Sequence, residues 1–180
     1  MAATSARGGQ LNFIPDCYIK IGDLPIQMYI MPDISDSHNA SYSKTNGTGR
    51  SLPTYTFSNG DARTISWSMH LFADSENTLN YNLKILRLIE SLTYPRTVAR
   101  TVPFLPPNIV KLKCGEVLGS YEICAVLQSY SVKFPTDVPW SAPQNGNSYI
   151  PYKIDIDLNF EAVYDAGTLP GSERIITDGN

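Results

Sequence analysis

The chain has 180 residues, enough for a single domain with a substantial hydrophobic core. Apolar residues make up 42% of it and charged residues only 17%, which indicates a globular protein less charged than the average of about 25%. The net charge of −3, without a basic run, argues against a general nucleic-acid binder, because binding to phosphates needs clustered Lys and Arg.

The cysteines and the lack of a long apolar segment define the expected setting. Cys17, Cys114 and Cys124 are an odd number, and the N-terminus lacks the apolar stretch of a signal peptide. We therefore expect reduced, half-buried thiols in a protein made in the cytoplasm. The spacing of Cys114 and Cys124 is not that of a zinc site. No apolar run approaches the roughly 20 residues of a membrane span, so no membrane partner is expected.

The first predicted elements form a hairpin. The first nine residues are small and polar and predict a flexible arm. Two strand patterns then follow, over Cys17–Ile21 and Leu24–Met31, and Gly22-Asp23 between them suits a tight reversal.

A long polar excursion, taken as an extended loop, occupies 32–61. Loops longer than about 12–15 residues are unusual in compact domains and tend to be functional or disordered. One interpretation is plain disorder. The other is an arm that becomes ordered against a neighbouring copy, with Tyr42, Tyr55 and Phe57 as its anchors.

A strand and a helix come next. Residues 63–72 alternate with period two, which places Ile65, Trp67, Met69 and Leu71 on one face and the polar side chains, His70 included, on the other. A helix is predicted from about Ser75 to Leu92, because Asp74 and Ser75 can cap its start and Pro95 stops it. Its predicted apolar stripe consists of Tyr81, Ile85, Leu86, Leu88, Ile89 and Leu92.

The second half of the chain predicts more strands. Residues 101–108 are Pro-rich and should be extended. Strands are then expected over 109–114 and 121–134 around a Gly-containing turn. A loop follows over 135–151, with Trp140 at its centre, and we assign Trp140 to a subunit contact. Tyr152–Tyr164 is the cleanest strand pattern. Residues 1–165 are thus one β domain, and 166–180 form a polar C-terminal arm.

The face of the last strand that carries Asp155, Asp157 and Glu161 is predicted to be wet, because the alternate positions are all apolar. Two acids on one strand could bind a cation or act as an acid and base, but no second cluster completes such a site. The sequence also lacks phosphate-loop, dinucleotide-binding and His-Glu-x-x-His motifs. We therefore assign no catalytic residue, metal or cofactor, and expect the chain not to be an enzyme.

Five short patterns follow one another in this order: Ile-Ser-Trp-Ser-Met-His-Leu-Phe at 65–72 before a helix, Leu-Thr-Tyr-Pro at 92–95, Pro-Pro-Asn-Ile-Val-Lys-Leu-Lys-Cys-Gly at 106–115, Cys-Ala-Val-Leu-Gln-Ser-Tyr-Ser-Val at 124–132, and Pro-Tyr-Lys-Ile-Asp-Ile-Asp-Leu-Asn-Phe-Glu at 151–161. In this order, over about 100 residues, they resemble baseplate proteins of contractile phage tails, of the tail-tube initiator, cap or adaptor type.

This resemblance implies a mainly β fold with one lateral helix, a tail-tube-like antiparallel sandwich or partial barrel. It implies a homo-hexameric ring in the virion, between the central hub and the tail tube or a second adaptor ring, with sheath or wedge proteins as further neighbours. The 32–61 segment would be the hairpin that such subunits extend onto a neighbouring ring. If the last strand faces inward, Asp155, Asp157 and Glu161 would line the lumen and keep passing DNA from sticking to the wall.

Two functions from other classes remain open. The aromatic content suits a glycan- or peptidoglycan-binding β-module. Such a module would need its aromatic side chains grouped on one exposed platform, whereas the tyrosines are dispersed along this sequence. A small β-rich hydrolase would instead need a carboxyl group with a shifted pKa in a pocket, and the sequence gives none of its glutamates such a setting.

Overall fold

The computed structural model describes residues 13–49, 51–95, 105–119, 121–141 and 149–164. The predicted N-terminal arm, residues 101–104 and the predicted C-terminal arm lie outside this range. The elements, in chain order, are β1 (Cys17–Ile21), β2 (Leu24–Gln27), β3 (Asp33–Ser37), β4 (Ala40–Thr45), β5 (Thr54–Gly60), β6 (Thr64–Phe72), α1 (Glu76–Ser91), β7 (Val110–Cys114), β8 (Ile123–Lys133), β9 (Trp140–Ser141), β10 (Ile150–Pro151) and β11 (Lys153–Ala162).

Seven of these strands form one antiparallel sheet in the order β2-β1-β7-β8-β11-β6-β3. The strands β4 and β5 form a separate hairpin, and β9 pairs with β10. The predicted mainly β, antiparallel architecture with one helix is confirmed for the described residues.

The sheet is curled, and its connectivity shows why. The two edge strands, β2 and β3, are joined by only five residues, 28–32. Six residue steps from Gln27 to Asp33 span at most about 22 Å. The edges of a flat seven-stranded sheet would lie about 29 Å apart. The sheet therefore bends so that its edges approach each other, although β2 and β3 are not paired and the barrel stays open.

The concave side of the curl holds the core. Strands β6 and β11 alternate as predicted, with Ile65, Trp67, Met69 and Leu71 buried on the first and Ile154, Ile156, Leu158, Phe160 and Ala162 buried on the second. The helix closes this side with Ile85, Ile89 and Leu92. Because one apolar face is covered and the other is polar, the register of both strands is fixed.

The helix begins and ends close to the predicted positions. Ser75 is its N-cap and accepts a hydrogen bond from the backbone N–H of Thr78 at 3.3 Å. The predicted apolar stripe is partly wrong, since Tyr81 is 37% exposed and the buried face instead includes Leu79 and Asn82. The Asn82 amide donates 3.0 Å to the carbonyl oxygen of Phe72, which ties the helix to the end of β6.

Two segments predicted as loops contain strands. The stretch 32–61 is not one continuous loop, because β3 pairs with β6 and the β4–β5 hairpin follows it. Backbone hydrogen bonds to β6 hold β3 in place. Burial contributes little, because Ile34 is the one residue of β3 that is even partly buried. The 135–151 stretch likewise contains the short pair β9–β10.

Candidate interaction surfaces

The β4–β5 hairpin extends the main sheet beyond its own core. The pairing of β3 with β6 ends at Ser37 and Thr64, and a backbone hydrogen bond from Asp61 to Asn39 (2.8 Å) leads on to the pair Ala40–Gly60. Every residue of β4 and of β5 is exposed. The hairpin is therefore a projection that takes no part in the hydrophobic core.

An ion pair braces the base of this projection. The guanidinium of Arg63 donates to both carboxylate oxygens of Asp36, with its Nε at 2.9 and 3.0 Å. This contact raises the pKa of Arg63 further above its usual value. Bidentate pairs of this kind fix geometry as well as charge, so the direction in which the hairpin leaves the sheet is constrained.

The two faces of the hairpin differ in chemistry. Tyr42 is paired with Phe57, and Lys44 with Tyr55, so the three aromatic side chains lie on one face, which we call the aromatic face. Tyr42 and Phe57 form an edge-to-face contact with ring centroids 5.7 Å apart. The opposite face carries hydroxyl groups.

The aromatic face remains open to solvent. Tyr42, Tyr55 and Phe57 are 59%, 62% and 59% exposed. A two-stranded hairpin is marginally stable by itself, and grouped aromatic side chains on a surface mark sites of contact with another molecule. The structure thus brings together three residues that the sequence analysis assigned to an intermolecular contact.

Trp140 does not join this group. It lies in β9 and is 39% exposed, and its indole N–H donates 3.3 Å to the carbonyl oxygen of Pro135. Its ring lies 6.4 Å from that of Phe134, between centroids. Any contact through Trp140 would therefore use a different surface from the aromatic face.

A second surface covers the outer side of strands β3, β6, β11 and β8, and we call it the polar face. Most of the side chains that share it are small or acidic: Asp33, Ser35, Ser37, Thr64, Ser66, Ser68, Ser129, Ser131, Asp155, Asp157, Asn159 and Glu161. One end of the face also carries the larger side chains of His70, Phe72, Lys133 and Lys153. Hydrogen bonds run across it, from Ser66 to Asn159 at 2.9 Å and from Asn159 to Ser129 at 3.1 Å. The face is four strands wide, and its larger side chains lie at the end that holds Asp155 and Lys153.

The three acids assigned to it lie in different environments. Asp155 lies 2.5 Å from Nδ1 of His70 and 3.4 Å from Nζ of Lys153, and it is in register with Lys133. Asp157 accepts from Ser68 at 2.5 Å, and Glu161 accepts from Gln128 at 2.6 Å. Gln128 is the extra residue of a β-bulge in β8, which re-aims its side chain.

The negative potential of the polar face is therefore uneven. In the described part of the chain, no cationic side chain forms an ion pair with Asp157 or Glu161, whereas Asp155 forms one with Lys153. Asp33, which lies in the same row as Ser68 and Asp157, adds a further negative charge. Asp33 could not be placed on this face from the sequence, because a five-residue strand with one apolar position carries almost no periodic signal.

The outer side of β1, β7 and the start of β8 carries a hydrogen-bonded charge network. Glu122 accepts from the hydroxyl of Tyr18 at 2.8 Å and lies 2.9 Å from Nζ of Lys111. Lys111, followed by the Tyr18 hydroxyl, lowers the pKa of Glu122, and the same contact with Glu122 raises the pKa of Tyr18. This network joins residues 104 positions apart, so it could not be predicted from spacing.

Chemical groups that could support catalysis are sparse on these surfaces. Over the described residues, no group of three His, Cys, Asp or Glu side chains could hold a metal ion. In the same ranges, no hydroxyl or thiol hydrogen-bonds to His70, whose recorded partner is Asp155. The helix in the described part of the chain is too short and too polar to cross a membrane.

Compared with known proteins, the chain matches no protein-family model and no curated protein. The aromatic face and the polar face are thus the features from which a function can be argued.

Proposed function

We propose that the chain is a structural subunit of a contractile phage tail, forming a ring at the junction of baseplate and tail tube. In this role it links the central hub to the tube and serves as a template for tube assembly. The virion is then its location and the cytoplasm of the host its site of synthesis.

The observation that carries this proposal is the exposed aromatic face on a hairpin that leaves the domain. Tyr42, Tyr55 and Phe57 contribute nothing to the core of their own subunit, yet they expose a large apolar area. Such a face is stabilised when another molecule covers it. A ring subunit that reaches a neighbouring copy or ring would supply that cover.

The polar face supports the same role. A ring built from this subunit could present small hydroxyl and acidic side chains to its lumen, with Asp157 and Glu161 as the unbalanced charges. Like charge repels the phosphates of DNA and would keep them from the wall. Asp155 contributes less, because His70 and Lys153 are close to it.

A glycan-binding module is the second candidate, and one observation favours it. Its requirement, aromatic side chains grouped on one exposed platform, is met by the aromatic face. Rings of tyrosine and phenylalanine can stack on the apolar faces of sugars as well as on a protein partner.

The deciding experiment is the native mass of the purified chain, alone and mixed with the proteins encoded by its neighbouring genes, supported by negative-stain imaging. Rings of about six subunits, or rings that form only when the hub protein is added, are expected. A chain that stays monomeric with every partner and binds peptidoglycan fragments would replace the ring by the glycan-binding module.

A further inference from the structure

Cys17 and Cys114 lie opposite each other in the core. They are partners in the antiparallel ladder between β1 and β7, and their sulfur atoms are 3.1 Å apart. Both are reduced, and their side chains are 1% and 2% exposed. Neither belongs to the aromatic face or to the polar face.

The register of the ladder identifies the type of this pair. The backbone N–H of Gly115 donates to the carbonyl oxygen of Asp16 at 2.8 Å, so Asp16 and Gly115 form a hydrogen-bonded pair of the ladder. Cys17 and Cys114 are therefore a non-hydrogen-bonded pair, in which opposing Cα atoms are about 4.5 Å apart. That separation is within the range of about 4.4–6.8 Å that disulfides span without backbone movement.

The closed fold protects these thiols from reaction. Burial, followed by the contact with Cys114, raises the pKa of the Cys17 thiol to about 12, so it stays protonated in the closed fold. The pair nevertheless lies at the end of its ladder, next to Asp16 and Gly115, which both have a positive φ. Ladder ends open more readily than ladder centres, and this gives an oxidant access.

We propose that Cys17 and Cys114 are an oxidation site that forms a cross-strand disulfide when the folded protein meets a low-molecular-weight disulfide such as oxidised glutathione. One cysteine attacks the glutathione disulfide, which releases one glutathione thiol and leaves a mixed disulfide on the protein. The second cysteine attacks the protein sulfur of that mixed disulfide and releases a second glutathione thiol. The two protein thiols are oxidised, the glutathione disulfide is reduced, and the two thiol protons end on the released glutathione.

The bond would attach the β1–β2 hairpin covalently to the rest of the sheet. It links residues 97 positions apart, and closing so long a segment removes much of the conformational freedom of the unfolded chain. A chain reduced at synthesis would thus become more stable after it leaves a reducing compartment. This inference rests on the ladder geometry and does not depend on the proposed function.

The test uses the full chain with Cys124→Ser, because Cys124 is exposed and would otherwise form disulfides between copies. The folded variant is incubated with oxidised glutathione, its remaining thiols are alkylated, and its mass and peptide map are measured. We expect a monomer lighter by two hydrogen atoms, a peptide joined through residues 17 and 114, and an unchanged circular dichroism spectrum. The midpoint of thermal unfolding should rise by roughly 5–15 °C and return when a reductant is added.

Cys114→Ala in the same background is the matched control, and it should show neither the cross-linked peptide nor the rise in midpoint. Two results would overturn the proposal. One is a folded chain in which Cys17 and Cys114 can both still be alkylated after treatment with oxidised glutathione under conditions that oxidise the urea-unfolded chain. The other is a disulfide that forms only with loss of the native spectrum.

Discussion

Tyr42 and Phe57 face each other across the β4–β5 hairpin in an edge-to-face contact of 5.7 Å, with more than half of each side chain exposed. If this pair anchors the hairpin on another subunit, the double change Tyr42→Ser and Phe57→Ser should abolish ring formation. The isolated subunit should keep its thermal stability, because neither side chain touches the core. Size-exclusion chromatography with light scattering, together with negative-stain imaging, measures the assembled fraction.

The opposite face of the same hairpin supplies the control. Ser43 and Ser58 hydrogen-bond each other at 2.7 Å and are exposed. The double change Ser43→Ala and Ser58→Ala alters the same hairpin without removing an aromatic ring, and assembly should persist. Native-like ring formation by the aromatic double variant would contradict the assignment.

The charge of the polar face gives a prediction for assembled tails. Replacing Asp157 and Glu161 with Lys places cations where phosphates are expected to pass, so DNA delivery should fall by about tenfold or more. Infectivity of particles that carry the variant measures this. Glu116→Lys with Asp137→Lys makes the same change in net charge at other exposed positions, and should leave delivery unaffected. Equal effects of the two pairs would exclude the lumen assignment.

The buried amide of Asn82 should matter for stability. Its Nδ2 donates to the carbonyl oxygen of Phe72, and Asn82→Ala removes this part-buried bond together with the Oδ1 of Asn82, which is buried and has no hydrogen-bond partner among the described residues. We expect a net loss of about 1 kcal/mol in the free energy of unfolding, measured in urea. Asn80→Ala changes an exposed residue of the same helix and should be neutral or slightly stabilising, since Ala is the better helix former. If Asn82→Ala lowers the free energy of unfolding no more than Asn80→Ala does, the hydrogen bond to Phe72 contributes nothing to stability.

The network around Glu122 predicts part of the acid sensitivity. Its pKa is lowered from the ordinary 4.5, so in the range just below this value the unfolded chain binds more protons than the folded chain. The stabilisation is therefore present above about pH 4.5 and is lost as the pH falls through the lower, folded-state pKa.

Glu122→Gln removes this contribution. The difference in unfolding free energy between pH 6 and pH 3 should shrink by a few tenths of a kcal/mol, because the pair with Lys111 is near the surface. Urea unfolding over that range measures it, with Glu116→Gln as the matched exposed control. An unchanged pH dependence in Glu122→Gln would show that the network does not stabilise the fold.

Elements with a strong period can be placed from the sequence. Strands β6 and β11 repeat every two residues and the helix about every 3.6 residues. Burial follows the repeat in the two strands, but only in part in the helix, where Tyr81 is exposed. The length and polar composition of 32–61 mark this segment as unusual, and its aromatic residues indicate an intermolecular contact. The three acids on β11 were also placed on one face by alternation alone.

Tertiary structure decided what depends on partners distant in sequence. Ladder hydrogen bonds ordered β3, whose own pattern is too polar to indicate a strand. Pairing between β4 and β5 turned three dispersed aromatic residues into one face, and pairing between β1 and β7 brought Cys17 to Cys114. A local pattern reports which side of an element is buried, but cross-strand pairing is set by the whole sheet. Neighbours across a ladder therefore appear only when the chain has folded.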